Sequence, residues 1–185
     1  MDSNATVHIH VVIHSEVFRS NMKLIVIILF FITAPTWAQE PMDIDVVLKN
    51  YNDQTVPYIS VEKLHKNKDA YLILDTRKKE EFLVSHIPNA IWSNEKLDVY
   101  AFAKAYPDKS QPIVVYCSIG VRSENFGESL QKLGYTNVFN LYGSIFSWKD
   151  KGYTIVNQQK RPTDSVHVYS KEWGKYLQTG IKVYK

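Results

Sequence analysis

The chain contains a single cysteine, so no disulfide can close within it and a zinc site built on several thiolates is excluded. Of the six histidines, three lie before residue 38. Beyond residue 38 only His65, His86 and His167 occur, too far apart for metal-ligand spacing. The longest run of Lys and Arg is the three residues 77–79, and a net charge of +3 is too small a footprint for nucleic acid. No internal repeat or low-complexity tract is present. Nor is there an apolar run of the roughly 20 residues that a membrane-spanning helix needs. What remains is a chain of 185 residues, 45% hydrophobic and 22% charged. That is one domain with appendages, able to bury a core without covalent staples.

The longest apolar run, residues 24–32, has the length of a signal-peptide core, with Lys23 before it and the small residues of Thr36-Trp37-Ala38 after it. Cleavage is expected after Ala38, leaving a soluble exported protein, periplasmic or extracellular, with no stable membrane association. A retained membrane anchor and a buried core helix are the alternatives. Met22-Lys23 stands directly before the run, so translation is expected to start at Met22, with residues 1–21 an upstream extension and residues 22–38 the signal. In an oxidising compartment an exposed lone thiol is a liability unless it has a task.

From residue 39 onward strand and helix patterns alternate. Residues 39–57 read as a loose lead-in with a short helix over 44–51, and Ser60 can cap the next helix. Residues 71–74 and 113–116 are continuous apolar runs of the kind buried on both faces of a sheet. Shorter strands are expected at 90–91 and 138–139. Helices are expected at 78–83, 97–106, 123–133 and 144–151, with Pro107, Gly134 and Gly152 as stops. This alternation predicts an α/β domain with a largely parallel central sheet flanked by helices. Such sheets bind ligands at the carboxyl ends of their strands.

At the end of the 113–116 strand the chain reads Cys117-Ser118-Ile119-Gly120-Val121-Arg122-Ser123, and then a helix begins. Successive N–H groups in such a loop can turn inward around an anion, Gly120 permits positive φ, and the helix dipole adds partial positive charge. All three favour a thiolate over a thiol. An inert buried cysteine is the competing reading. Arg122 faces the unfavourable end of the helix dipole, so it either pairs with Glu124 or serves a bound anion.

Three blocks of this sequence resemble the rhodanese-like domain over about residues 58–156. The first is Asp75-Thr76-Arg77, Glu81-Phe82 and Ser85-His86-Ile87-Pro88-Asn89-Ala90. The second runs from Val114 through Cys117 to Arg122-Ser123. The third comprises Leu133-Gly134-Tyr135, Val138, Leu141-Tyr142-Gly143, Trp148 and Gly152. Ser85, Asn89 and Ser144 depart from the family's pattern, standing where glycine is usual. Asp75 and Arg77 are expected to pair structurally at a strand end, His86 to stabilise a turn rather than act as a base, and Trp148 to pack in the core.

The resemblance implies a sulfurtransferase that requires no metal or organic cofactor. The Cys117 thiolate takes the outer sulfur of thiosulfate or another sulfane donor, and a thiol or cyanide then accepts it from the persulfide. The loop residues Ser118 to Ser123 would form the cradle, with Arg122 helping to hold the anionic donor. Phosphatase or arsenate reductase chemistry is disfavoured, because it uses a Cys-x5-Arg loop and this one is Cys-x4-Arg. A sulfur-carrier or binding module without turnover is the other alternative. Residues 157–185 lie beyond the resemblance. Ser170 is expected to cap a helix reaching Gln178, docked on the domain or serving as a partner patch whose protein partner the sequence does not name.

Overall fold

The computed structural model describes residues 43–94 and 96–184. The expected signal segment, the expected cleavage site and the expected upstream extension lie outside the described residues. In chain order the elements are α1 Ile44–Tyr51, β1 Tyr58–Ile59, α2 Val61–Asn67, β2 Leu72–Asp75, α3 Lys79–Val84, β3 Ile91–Trp92, α4 Val99–Ala105 and β4 Ile113–Tyr116. They continue with α5 Val121–Lys132, β5 Val138–Leu141, α6 Ser144–Asp150, β6 Ile155–Val156, β7 Pro162–Thr163, β8 Ser165–His167, α7 Lys171–Gly174 and β9 Ile181–Val183.

Five strands form a wholly parallel sheet in the order β1-β5-β4-β2-β3. The expected α/β architecture is therefore present. β4 is the middle strand, and its four residues are all buried. Their side chains alternate between two cores, as the pleat requires. Val114 and Tyr116 join Ile73, Leu141, Phe146 and Trp148 on one face. Ile113 and Val115 join Leu74, Phe126, Leu130 and Val138 on the other. Each fully buried aliphatic side chain contributes roughly 1.5–3 kcal/mol, so the end of β4 is an anchored platform.

Several boundaries differ from expectation for identifiable reasons. Asp98 caps α4, accepting from the Ala101 N–H at 3.0 Å, so Leu97 lies before the helix instead of inside it. α5 begins at Val121, two residues early, because Gly120 at φ 117° turns the chain straight from loop into helix. Arg122 and Ser123 thus belong to the first helical turn. Ser170 does cap α7, but that helix has only four residues. Beyond it, the Asp150 carboxylate accepts from the N–H groups of Gln178 and Thr179 and draws the chain away.

The lead-in is not loose. α1 buries Val47 and Leu48, and Asn52 and Thr55 bond to the Cys117 loop and α5. Two small pairings complete the fold, antiparallel β6–β7 and parallel β8–β9, and only around β8 is there a brief alternation in sequence, at Val166 and Val168.

Candidate functional site

Cys117 follows β4 directly, and its side chain is buried, with the residue 1% exposed. The loop around it is held from three sides. From α6, the Ser144 hydroxyl accepts from the Cys117 N–H at 3.1 Å. The first amides of that helix, Ile145 and Phe146, donate to the carbonyls of Cys117 and Ser118 at 3.3 and 3.1 Å. From β5, Asn140 donates to the Gly120 carbonyl at 2.8 Å and to Glu124 at 2.8 Å. From the lead-in, Asn52 donates to that same Gly120 carbonyl at 3.0 Å. The peptide is fixed so that the Gly120 N–H points at the Cys117 Sγ, 3.2 Å away.

Burial pushes the Cys117 thiol up. The charge of Arg122 and hydrogen bonds from Ser123 and Gly120 outweigh that, so the thiol stands below its ordinary value. Ser123 has one hydroxyl proton for two acceptors, the sulfur and Asn140 Oδ1, the latter at 2.8 Å.

Arg122 does not pair with Glu124. Residues two apart on a helix do not face each other. Glu124 is buried and accepts from the Thr55 and Val56 N–H groups at 2.9 and 3.2 Å. Arg122 instead meets Glu81 of α3 in a two-pronged contact at 2.8 and 2.9 Å, and also donates to the Ser118 hydroxyl at 3.1 Å. Burial pushes the Glu81 carboxyl up, but the hydrogen bonds and charges of Arg122, Arg77 and the Lys78 N–H prevail and hold it below the usual carboxylate value.

Asp75 and Arg77 form the expected pair at the end of β2, both side chains fully buried, with the closest contact at 2.6 Å. Arg77 also donates to the Ser85 carbonyl at 2.6 Å, tying the turn after α3 to the sheet. His86 completes that turn: its ring stacks on Phe82 at 4.0 Å and its Nδ1 lies 3.0 Å from the Phe82 carbonyl. Asn89 and Ser144, two of the residues standing where glycine is usual, adopt φ of 68° and 51°, whereas Ser85 is extended.

A cavity of about 200 Å³ opens over the sulfur, lined by Cys117, Ser118, Ile119, Val121, Arg122, Tyr169 and Trp173. Val121 and Ile119 face it with carbon. Asn52, Asn140, Ser144 and the two aromatic residues escaped sequence reasoning as parts of the site. Of these, Ser144 carried a signal, a hydroxyl in a position the resemblance gives to glycine.

The site is thus a lone thiol at the carboxyl end of the central parallel strand, with its sulfur facing backbone N–H groups of a short loop. That is the class of an α/β domain with a thiolate cradle. The chain belongs to the rhodanese-like family, whose domain matches residues 60–151. It is 33% identical over 95 residues to the thiosulfate sulfurtransferase GlpE of Coxiella burnetii, covering 51% of this chain and 85% of that one. It is 32% identical over 91 residues to the adenylyltransferase and sulfurtransferase UBA4 of Candida albicans, covering 46% of this chain but 21% of that much longer protein. The crystal structure of a thiosulfate sulfurtransferase from Pseudomonas aeruginosa shares the fold, with a TM-score of 0.54, 22% identity, and coverage of 72% of this chain and 25% of that one.

Proposed function

We propose that the protein is a sulfurtransferase that carries sulfane sulfur as a persulfide on Cys117. One observation supports this above the rest: the Cys117 sulfur meets the Gly120 N–H at 3.2 Å while facing an open cavity at the end of β4. The thiolate attacks the outer sulfur of thiosulfate or a related donor. A new S–S bond forms on Cys117, the donor's own S–S bond breaks, and sulfite leaves with the electron pair. The terminal persulfide sulfur is then the anion that the loop amides receive. An incoming thiol or cyanide attacks that sulfur and restores the Cys117 thiolate. Two half-reactions through one covalent intermediate give ping-pong kinetics.

Within this reading the loop residues Ser118, Ile119, Gly120, Val121, Arg122 and Ser123 shape the cradle. Gly120 and Ser123 donate to sulfur, and Ser118 helps to fix Arg122. Arg122 supplies charge that favours the thiolate. Asp75, Arg77 and His86 are positioning residues, since they act on the surrounding turns. Relatives named for sulfur transfer, one of them a single-domain-sized protein that the chain nearly spans, support the same activity.

The test is incubation with thiosulfate followed by mass spectrometry, which should find one added sulfur atom on Cys117. Cys117→Ser should stay folded, gain no sulfur and show no thiosulfate:cyanide turnover. Retained turnover in that variant rejects the mechanism. A persulfide that forms on Cys117 without catalytic turnover points to a carrier or binding module instead of an enzyme.

A further inference from the structure

Two of the side chains that wall the cavity over Cys117 come from beyond the family's own residues 60–151. They are Tyr169 and Trp173, from the C-terminal segment. That segment is not an appendage. Val166, Val168, Tyr176 and Leu177 are buried in the main core, and β8, which carries Val166, pairs with β9. Trp173 is braced by edge contacts with Tyr51 of α1 and by a tilted contact with Tyr176, ring centres 6.2 and 5.8 Å apart.

Tyr169 sits in an unusual conformation, with φ 63°. This region is uncommon for a bulky side chain, and strain of this kind clusters at functional sites. A tight turn enforces it. The Tyr169 N–H donates to His167 Nδ1 at 3.1 Å, and the Ser170 N–H donates to the Val168 carbonyl at 2.7 Å. The result places the ring at the cavity's rim, with the Arg122 guanidinium carbon 5.0 Å from its centre.

The character of the wall matters as much as its origin. Thiosulfate is a compact dianion that is best held by cations and N–H donors. Among the described residues lining this cavity, Arg122 is the one cation, and both of its terminal nitrogens already donate to Glu81. Ser118 adds one hydroxyl, which is engaged with Arg122 and Glu81, and the other walls, Ile119, Val121, Tyr169 and Trp173, are largely carbon. The space of about 200 Å³ is generous for an inorganic anion. An apolar cavity of roughly 150 Å³ is enough to hold benzene.

We propose that Tyr169 and Trp173 make this site selective for an organic sulfane, a thiosulfonate or persulfide whose apolar substituent packs against the two rings, over inorganic thiosulfate. The proposal rests on the sulfur-transfer reading above and names its substrate class. With a thiosulfonate, R–SO2–S⁻, the Cys117 thiolate bonds to the outer sulfur. The donor S–S bond breaks, and the sulfinate R–SO2⁻ leaves with the electron pair. One sulfur is transferred, and two negative charges stand on each side.

The experiment compares kcat/KM of the full chain for benzenethiosulfonate and for thiosulfate, with cyanide as acceptor. The aryl donor should be preferred by roughly tenfold or more. That preference should shrink by roughly tenfold in Tyr169→Gly, which also suits the backbone angle, and in Trp173→Leu. Benzenesulfinate, the leaving group, should inhibit the wild-type chain at concentrations below those at which sulfite does. If neither variant folds, this inhibition decides the question alone. Equal or better efficiency with thiosulfate, a preference unchanged in both folded variants, or no inhibition by benzenesulfinate overturns the proposal. If neither donor places sulfur on Cys117, the sulfur-transfer reading itself falls, and this one with it.

Discussion

Gly120 is the position where backbone geometry and sulfur chemistry meet, and Gly120→Ala separates them from the rest of the fold. Its φ of 117° lies outside what an L side chain adopts without strain. A Cβ there would stand 3.1 Å from the Leu48 Cδ2 and 3.6 Å from the Leu141 carbonyl oxygen. Leu48 is buried, so it has little room to yield. The loop cannot relax by rotating the peptide, because Asn52 and Asn140 both donate to the Gly120 carbonyl and would lose their acceptor. Strained backbone costs about 1–3 kcal/mol, and a buried hydrogen bond contributes about 0.5–1.5 kcal/mol. The variant should therefore lose about 2–4 kcal/mol in urea denaturation, whichever way the loop gives. Any shift moves the Gly120 N–H that lies 3.2 Å from Sγ. The thiol should then be harder to ionise, and alkylation by iodoacetamide at neutral pH should slow. Gly134→Ala is the control. Its φ is 88°, but nothing lies within 4 Å of the added carbon and it is remote in sequence from the loop. It should cost stability through backbone strain alone, with the alkylation rate of the wild type. If Gly120→Ala stays within about 0.5 kcal/mol of wild type, the range of an ordinary surface change, and alkylates at the same rate, the loop is not the fixed cradle described here.

Three further outcomes are expected. Arg77→Met leaves Asp75 buried without its partner and should cost about 3–5 kcal/mol, read by urea denaturation at neutral pH. The Glu81 carboxyl is depressed in the folded state, so its contribution to stability is complete above its ordinary value of 4.5 and is lost as pH falls through the folded value. Glu81→Gln should accordingly flatten the acid limb of a stability-against-pH curve; an unchanged limb would refute the assignment. Inserting one glycine between Gly120 and Val121 should lower sulfur transfer on the order of 100-fold, since a misplacement of ~1 Å can cost that much, while far-UV circular dichroism stays native.

The parallel sheet was legible because β2 and β4 are buried on both faces and so leave continuous apolar runs, 72–74 and 113–116. The thiol loop was legible because strand, cysteine, glycine and helix follow one another within a few residues. The parts that escaped reading are made by residues far apart in sequence. Nothing local marks Asn52 as the partner of the Gly120 carbonyl, 68 positions away. Glu81 lies 41 positions from Arg122, whereas Glu124 is its near neighbour in sequence but is committed to the lead-in. Two-residue strands such as β1 and β6 are too short to show an alternation. Nothing local marks Tyr169 and Trp173 as parts of the site, because the fold, not the sequence, carries them over the cavity.

The Glu81–Arg122 contact also bears on why this loop suits sulfur. A phosphate or arsenate presents several charged oxygens, and an arginine serves them with both prongs of its guanidinium. Here those prongs are held by a buried carboxylate, and the loop is one residue shorter than oxyanion chemistry uses. A single anionic sulfur asks for less: a few N–H groups converging on one atom, and a cation near enough to favour the charge. The Gly120 and Ser123 amides and the restrained Arg122 supply these. Glu81 fixes the guanidinium in place, so that its field acts on the sulfur while its hydrogen bonds stay occupied. On this reading Glu81 and Arg122 work as one unit. Removing Glu81 should loosen the guanidinium, and the site would then gain affinity for sulfate or phosphate as competitive inhibitors while its sulfur transfer declines.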